Sequence, residues 1–418
     1  MSSLCRNAES ASRAVAAACL LAGTVSLPAL AADTYFQPMA NVRVDHESNR
    51  RLVPDGLPSK SVTGYTASAG AVFGARTPRS ETDVRPEISF SRYPDEKEFN
   101  QTEARLDFRT RYRSERSTLG LMAKYSRMSE YNAEFGDAAF DEFDPDAPPV
   151  TGDGTVLASE RRTRVDLRPS FEYRLSPLTR IGLDLLAQDV SYSADGATSQ
   201  VDHRNYDVDL RLARQLSPRT TVLAGVFATR YETEDDVNVT DGYGASLGLQ
   251  QRWSETFTAD VNFRIEDSNI EVRTTEIGGP VTLKESKTPW TLQGALAWRG
   301  QVTRVRVMAG HMLAPSGSGS RNERDEIRAQ VDRDLSERLI WRGIVRAFHE
   351  KREGELGQRN ERDSARLETS LDWRAAPTWF VRVGAAYTWQ DRKTDPASAD
   401  SASVYVSIGY QGLGPARR

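Results

Sequence analysis

Charged and uncharged residues alternate with a period of two along most of this 418-residue chain. In the segment 102–113 every odd position is charged and every even position is uncharged, as in Leu106, Asp107, Phe108 and Arg109. Successive side chains of a β-strand point to opposite faces of the sheet. The pattern therefore predicts strands with one apolar face and one charged face. The same alternation recurs at 163–173, 257–266 and 366–374.

The segments between these strands alternate in length. Short turns are predicted at 77–79, 113–116, 175–179, 216–220, 253–256, 299–301, 335–338 and 376–378. Longer polar loops are predicted at 47–60, 94–99, 132–158, 194–203, 232–241, 268–286, 314–322, 351–362 and 392–400. Eight short turns and nine longer loops connect eighteen strands, with sixteen as the alternative count.

Long strands joined in this way are typical of a closed antiparallel transmembrane β-barrel. Most of the predicted strands have about 11–15 residues, and about 9–11 already cross the hydrocarbon layer when tilted. We therefore predict an all-β fold with a single barrel domain over residues 32–418. A set of β-sandwiches or a propeller is the soluble alternative, because alternation does not say which face is inside.

Composition excludes other classes of protein. Charged residues make up 27% of the chain and mean hydropathy is −0.56, so an α-helical membrane protein is excluded. The net charge of −4 and the pI of about 5.8 argue against a nucleic-acid partner. Both cysteines, Cys5 and Cys19, precede residue 32, which leaves no disulfide framework and no cysteine-ligated metal site beyond it.

Residues 1–31 are predicted to be a secretory signal peptide. Arg6 and Arg13 precede an apolar run from Ala14 to Leu27, and small residues end it before Ala32. A membrane anchor or a lipidated Cys19 are the alternatives. Export, the absence of cysteines after residue 31 and aromatic residues beside the short turns together place the barrel in the outer membrane of a Gram-negative bacterium, in contact with lipid and lipopolysaccharide. The aromatic residues are Tyr112, Tyr173, Trp253, Trp298, Trp341, Trp373 and Trp379.

Arginines on the charged face are the candidate functional residues. With the short turns in the periplasm, period-two counting places seven of them in the lumen, mostly near the periplasmic end. These candidates for ligand passage are Arg105, Arg109, Arg111, Arg304, Arg306, Arg342 and Arg382. One interpretation is the ordinary lining of a water-filled barrel, neutralised by nearby aspartates. The other is a basic inner mouth that attracts an anionic or carboxylated ligand.

Signals for an enzyme are weak, and we predict no catalytic residue, no cofactor and no metal site. Gly244–Gly248 has the G-x-S-x-G spacing but falls in an alternating strand rather than in a strand–turn–helix elbow. The four histidines show no ligand spacing. Asp236–Gly242 begins like a calcium loop, but its glycine is one place late and no closing glutamate follows.

The layout resembles that of the putative β-barrel porin-2 family, outer-membrane barrels that accompany exopolysaccharide-secretion gene clusters. The first hairpin carries the likeness, with Asn41–Asp45, Glu47–Leu52 and Pro86–Tyr93, as does the turn at Arg113–Leu119. Arg50 stands where that family usually has an apolar residue. The resemblance implies export of a polysaccharide, with periplasmic export components as partners. The competing functions are a general diffusion or solute-uptake porin for small polar solutes and, less favoured, a hydrolase on the barrel rim.

A closed barrel predicts heat-modifiable migration on a denaturing gel. The unheated protein should run as a compact species, because closure leaves no free edge from which unfolding can begin. The boiled protein should run at its full mass. Identical migration of both samples, together with recovery from the soluble periplasmic fraction, would contradict the barrel.

Overall fold

The computed structural model describes residues 32–133, 160–193, 200–234, 237–276, 279–317, 319–353, 359–393 and 397–413. Within these ranges nineteen strands form one antiparallel sheet. They are β1 (Asp33–Glu47), β2 (Val62–Arg76), β3 (Ser80–Arg92), β4 (Gln101–Arg113), β5 (Ser117–Ser129), β6 (Arg161–Ser176), β7 (Thr179–Ser193), β8 (His203–Ser217), β9 (Thr220–Thr233), β10 (Asn238–Arg252), β11 (Phe257–Glu276), β12 (Gly279–Lys287), β13 (Trp290–Arg299), β14 (Thr303–Pro315), β15 (Arg321–Asp334), β16 (Leu339–Glu353), β17 (Arg359–Ala376), β18 (Trp379–Arg392) and β19 (Ala399–Gln411). The predicted signal peptide, residues 1–31, and nearly all of the predicted loop 132–158 lie outside the described residues.

The sheet closes on itself. β1 pairs with β2 on one side and with β19 on the other, where Met39–Glu47 run antiparallel to Ser403–Gln411. The pairing is otherwise between strands that follow each other in the chain, except around β12. Closure gives each strand other than β12 two hydrogen-bonded neighbours, as a sheet in hydrocarbon requires. The predicted all-β antiparallel barrel is confirmed.

The nineteen strands occupy eighteen positions around the barrel. β11 is twenty residues long, and its two halves have different partners. Its first half pairs with β13, from Phe257↔Trp298 to Ile265↔Trp290, and its second half pairs with β12. β12 and β13 therefore share one position, which agrees with the predicted count of eighteen.

One predicted loop is wrong, because residues 268–286 form most of a hairpin made by the end of β11 with β12. Val272 lies opposite Leu283, and Glu271 forms an ion pair with Lys284 across the two strands. The many charges in this segment suggested a loop. A two-stranded ribbon that extends beyond the barrel wall has water on both faces, so it needs no apolar face and shows no clear alternation.

The eight predicted short turns all join consecutive strands at one end of the barrel, and the longer connections lie at the other end. Two-residue turns occur at Pro177–Leu178, Pro218–Arg219 and Pro377–Thr378, each beside a register shift in the preceding strand. By the general rule for bacterial barrels, the short turns face the periplasm and the longer loops the cell surface.

The outer wall of the barrel is apolar. Large aliphatic side chains along it are about 40–60% exposed to the surroundings, and they include Val42 (56%), Leu106 (39%), Val226 (57%), Val261 (45%), Val345 (42%) and Val406 (49%). Exposed apolar area of this extent is unfavourable in water and favourable in lipid. No stretch of the described chain forms a helix that is long and apolar enough to cross a membrane.

Aromatic residues form a girdle at each end of this apolar wall. Near the short turns, the predicted Tyr112, Trp253, Trp298, Trp373 and Trp379 are 42–51% exposed. Near the longer loops a second set, which the sequence analysis did not identify, is 38–58% exposed and consists of Tyr65, Tyr206, Tyr243, Trp290 and Tyr387. Such rings favour the interface between lipid and water, so the two girdles mark the span of the membrane.

A single charge on the outer wall should destabilise the barrel more than the same charge inside it. Val261 of β11 lies opposite Gly294, in the middle of the ten-residue β13, so it is near the midplane of the membrane. Val261→Arg should cost about 2–4 kcal/mol of unfolding free energy. The matched control is Asn262→Arg, which places the charge in the lumen and should cost much less. Reversible urea unfolding in vesicles measures both, and equal costs would contradict the assignment of the two faces.

Candidate functional site

The lumen is lined by the other half of the alternation. On β16, for example, Arg342, Arg346 and Glu350 occupy inward positions, whereas Val345 faces lipid. Many of these inward residues are largely buried by one another, among them Asp45, Asp107, Asp166, Glu326 and Arg324. A charge is tolerated there only with a partner, so the lumen is a network of ion pairs and hydrogen bonds.

Three arginines lie side by side on one wall of the lumen. Arg328 of β15 is directly opposite Arg346 of β16, and Arg346 is directly opposite Arg366 of β17. We call these three residues the arginine row. Cβ atoms of directly opposed residues are about 4.5–5.5 Å apart, and like charges at that spacing destabilise a sheet. The wall must therefore hold negative charge beside the row.

Glu326 supplies much of that negative charge. Its carboxylate accepts hydrogen bonds from Arg328 at 2.9 Å and Arg346 at 3.0 Å, and Glu368 lies 3.5 Å from Arg366. The side chains of the arginine row are 10–13% exposed, whereas that of Glu326 is 3% exposed. The accessible charges in this part of the wall are therefore three arginines and one glutamate, Glu368, whose side chain is 17% exposed.

A second set of charges lies on the same strands, closer to the outer mouth. Arg324 of β15 donates to Glu350 of β16 at 3.1 Å, and Arg362 of β17 donates to the same oxygen at 3.4 Å. The Arg324 guanidinium lies 3.6 Å from the centre of the Phe348 ring. With the arginine row, this wall carries five arginines beside three glutamates, which are Glu326, Glu350 and Glu368. The wall therefore has an excess of positive charge.

A loop between β14 and β15 reaches across the outer part of the lumen. The Gly317 carbonyl accepts the N–H of Val201 at 2.6 Å, and the Ser316 carbonyl accepts the hydroxyl of Tyr231 at 3.0 Å. Asn238 donates to the Gly319 carbonyl at 2.8 Å. We call the described residues of 316–320 the lumen-crossing loop, because Val201, just before β8, is five strand positions away from β14. The loop divides the outer mouth.

Gly317 is required for this close approach. A Cβ at this position would overlap the side-chain oxygen of Gln200 and the hydroxyl of Tyr192. Ser316 has no exposed surface, and Tyr231 has none either. The lumen-crossing loop is thus held by buried contacts on both sides of its glycine.

The Glu47–Leu52 stretch, which carries the resemblance described above, fills another part of the outer mouth. The Arg50 guanidinium lies 4.5 Å from the Tyr93 ring and 4.3 Å from the Tyr131 ring, and it donates to Glu47 at 2.9 Å. Asn49 donates to the Asp400 carbonyl at 3.0 Å, next to the seam between β1 and β19. Arg50 is only 5% exposed, so aromatic rings and a carboxylate surround the charge that occupies the usual apolar position.

The seven arginines predicted from the sequence fall into two groups that the fold does not bring together. Arg105, Arg109 and Arg111 lie on β4. The others lie nine, seven and five strand positions from β4, on β14, β16 and β18, respectively; they are Arg304 and Arg306, Arg342, and Arg382.

At least six of these seven arginines have an acidic neighbour. On β4, Arg105, Arg109 and Arg111 lie directly opposite Glu87, Asp83 and Glu81 of β3. On the other wall, Arg304 pairs with Asp334 at 3.1 Å, Arg342 with Asp332 at 2.6 Å and Arg382 with Asp372 at 2.9 Å. Arg306 lies opposite Gln330. A role of these residues in ligand passage stays a prediction.

The weak enzyme motifs take structural roles where the structure describes them. Gly244–Gly248 lies within β10, as the alternation predicted. His46, His311 and His349 lie on the outer wall beside Thr63, Asp325 and Asp363, respectively, and His203 is buried near Tyr231. In the described part of the chain no three histidine, cysteine, aspartate or glutamate side chains come together as a metal site.

Protonation of Asp202 should tighten the contact to the lumen-crossing loop. Burial raises the pKa of Asp202 to about 6, and Glu234 acts in the same direction, whereas the Tyr192 N–H, donated at 2.7 Å, opposes them. An unfolded aspartate has a pKa of about 3.9. Protonated Asp202 therefore favours the folded segment, and this stabilisation grows as the pH falls from about 6 to about 4.

Amide hydrogen exchange at Val201, corrected for the intrinsic effect of pH, should be slower at pH 5 than at pH 7. Asp202→Asn should remove most of the difference, because the asparagine does not titrate. Equal protection of Val201 in the wild-type protein at both pH values would contradict this linkage.

Solved structures of porins have a similar overall arrangement. A BenF-like porin from Pseudomonas fluorescens Pf-5 matches with a TM-score of 0.48 and 9% identity, over 91% of this chain and 99% of that one. Pseudomonas aeruginosa OccK2 (OpdF) in complex with glucuronate matches with 0.46 and 11%, over 91% and 99%. Acinetobacter baumannii OccAB3 matches with 0.44 and 10%, over 91% and 99%. No curated protein sequence matches this chain.

The sequence model of a family described as surface lipoprotein assembly modifier matches residues 82–299, from the beginning of β3 to the end of β13. The match covers just over half of the chain. The matching family differs from the porin-2 family that the layout of the sequence resembles. Both families imply an outer-membrane barrel. This protein, a β-barrel pore of the Gram-negative outer membrane, belongs to the surface lipoprotein assembly modifier family.

Proposed function

We propose that the lumen is a pore for small polar solutes and that it favours anions. The arginine row carries the proposal, because three positive side chains lie side by side on the lumen wall and outnumber Glu326 and Glu368, the two glutamates beside them. Fixed positive charge in a pore concentrates anions, and several weak contacts allow them to leave again. Arginine suits carboxylates in particular, since its planar fork binds both oxygens.

The outer mouth limits what passes. The lumen-crossing loop is hydrogen-bonded to residues at the outer ends of the neighbouring strands β8, β9 and β10, and Arg50 with its aromatic neighbours fills a separate part of the mouth. Openings between such segments suit small solutes. This supports the solute-porin alternative over exopolysaccharide export, in which a polymer strand would require the loop to move aside and periplasmic export components to supply it.

Surface-lipoprotein assembly is a second candidate function, favoured by the family match over β3 to β13. A lipoprotein has an acyl anchor that needs lipid and a polypeptide that needs water. The barrel offers both environments, on its outer wall and in its lumen. The two candidate functions use different surfaces and can be tested separately.

Removing one charge of the arginine row should reduce anion selectivity. Arg366 is the best choice, because Glu368, 3.5 Å from it, keeps a hydrogen bond from Tyr405 at 3.0 Å when Arg366 is replaced. A unit charge about 10 Å from an ion in water is worth about 0.4 kcal/mol, which is a factor of about two in ion concentration. The anion concentration falls and the cation concentration rises by this factor, so Arg366→Gln should lower the anion-to-cation permeability ratio about fourfold in planar bilayers under a salt gradient.

Two controls isolate the charge. Arg366→Lys keeps it and should keep the wild-type ratio, and Arg219→Gln, in an exposed periplasmic turn, removes a charge outside the lumen wall. If Arg366→Gln leaves the ratio unchanged, the arginine row does not select ions. If secretion of a polysaccharide falls in the same variant while the barrel remains abundant, the export function is favoured instead.

A further inference from the structure

A groove of about 590 Å³ crosses the outer wall at the seam of the barrel. It runs over β16, β17, β18, β19, β1 and β2, on the side that faces lipid. The outward side chains that line it include Trp341, Leu371, Val383, Ala385, Val406 and Val44. The groove lies on the outer face of the sheet, and the arginine row lies on the inner face. Strands β16 and β17 contribute to both sites.

Strand register makes this groove a continuous row. Trp341 is directly opposite Leu371, Leu371 is opposite Val383, Val383 is opposite Val406, and Val406 is opposite Val44. Neighbouring strands are about 4.8 Å apart, so six strands span about 24 Å. An elongated ligand can therefore lie along the row.

Small side chains form the floor of the groove. Beside the first row runs a second one, in which Gly343 is opposite Thr369, Thr369 is opposite Ala385, and Ala385 is opposite Val404. The Trp341 indole covers the first part of this row, because its ring lies over Gly343 and its N–H donates to Thr369 at 2.9 Å. Ala385 leaves open space beyond it, between Leu371 and Val404. This open space makes a channel rather than a flat patch.

The two ends of the groove lie at different depths in the membrane. Trp341 is the third residue of β16 and is close to a periplasmic turn, whereas His46 is the last but one residue of β1 and is close to the outer loops. The outer end is also polar, because His46 Nδ1 and Thr63 Oγ1 form a hydrogen bond of 2.8 Å. The groove therefore rises from the inner to the outer leaflet and ends on polar groups.

We propose that this groove seats an acyl chain of a lipoprotein anchor as the anchor passes to the outer leaflet. The inference rests on the second candidate function, surface-lipoprotein assembly, and specifies where the lipid part of such a substrate lies. An acyl chain matches the apolar, elongated and lipid-facing shape of the groove. The polar pair of His46 and Thr63 matches the glyceryl-cysteine end of an anchor, which carries ester and amide groups. The lumen then has no need to admit a hydrocarbon chain.

The test uses the purified full-length barrel and a synthetic tripalmitoylated cysteine lipopeptide, with binding followed by native mass spectrometry. Ala385→Trp fills the floor of the groove and should weaken lipopeptide binding about tenfold, since excluding even a few methylene groups has an effect of this size. Val404→Trp fills the same floor on the neighbouring strand β19 and should act in the same way. The matched control is Ala224→Trp, at an outward position of β9 away from the groove.

Unchanged lipopeptide binding in both groove variants would overturn the proposal. Equal competition by phosphatidylethanolamine would overturn it as well, because the groove would then be an ordinary contact with bulk lipid. Heat-modifiable migration verifies that each variant folds. The pore proposal is judged separately, since the groove variants should keep the wild-type ion selectivity, and Arg366→Gln should keep lipopeptide binding. Normal lipoprotein display in cells that lack the barrel would count against the family function, whereas lipopeptide binding by the purified barrel tests the groove.

Discussion

Every backbone N–H and C=O in the membrane needs a partner inside the protein, because hydrocarbon offers none. This chain meets that requirement by pairing β1 with β19 and so closing eighteen strand positions. The other features follow from closure. One face of each strand must face lipid, the other must face the lumen, and the two faces cannot exchange without a change of register. The sequence alternates with a period of two because the two faces of each strand lie in these different environments.

Closure also separates the charged side chains of the protein from the apolar ones. Charges concentrate inside, where they are paired with one another, as in the cluster around Glu326 and Glu350. Apolar side chains concentrate outside, where small residues such as Ala385 leave room for a groove. A solute pore in the lumen and a lipid-binding wall outside are therefore compatible functions of one sheet. The two sites come closest at β16 and β17, which carry part of the arginine row on one face and part of the groove on the other.

Much of the fold could be predicted from the sequence, because alternation and turn residues are local signals. The eight short turns, the eighteen strand positions and the girdle near Trp253 and Trp373 agree with the structure. The hairpin of β11 and β12 was missed, since a ribbon in water has no apolar face to reveal it. The candidate site was harder to predict. Counting odd and even positions along a strand correctly predicts which face an arginine lies on. Arg328, Arg346 and Arg366, however, belong to three strands, and their separations in the sequence do not indicate that they align.

The sequence by itself determined which residues face lipid and which face the lumen, because neighbouring side chains of a strand must point in opposite directions. Only the tertiary structure decided which residues lie next to one another across strands. Register depends on turn geometry and on closure between β1 and β19, and these act over the whole barrel. The acidic neighbours of Arg105 and Arg342, the contact of Gly317 with Val201 and the groove beside Ala385 all arise at that level. Their physical cause is long-range pairing, which no local pattern encodes.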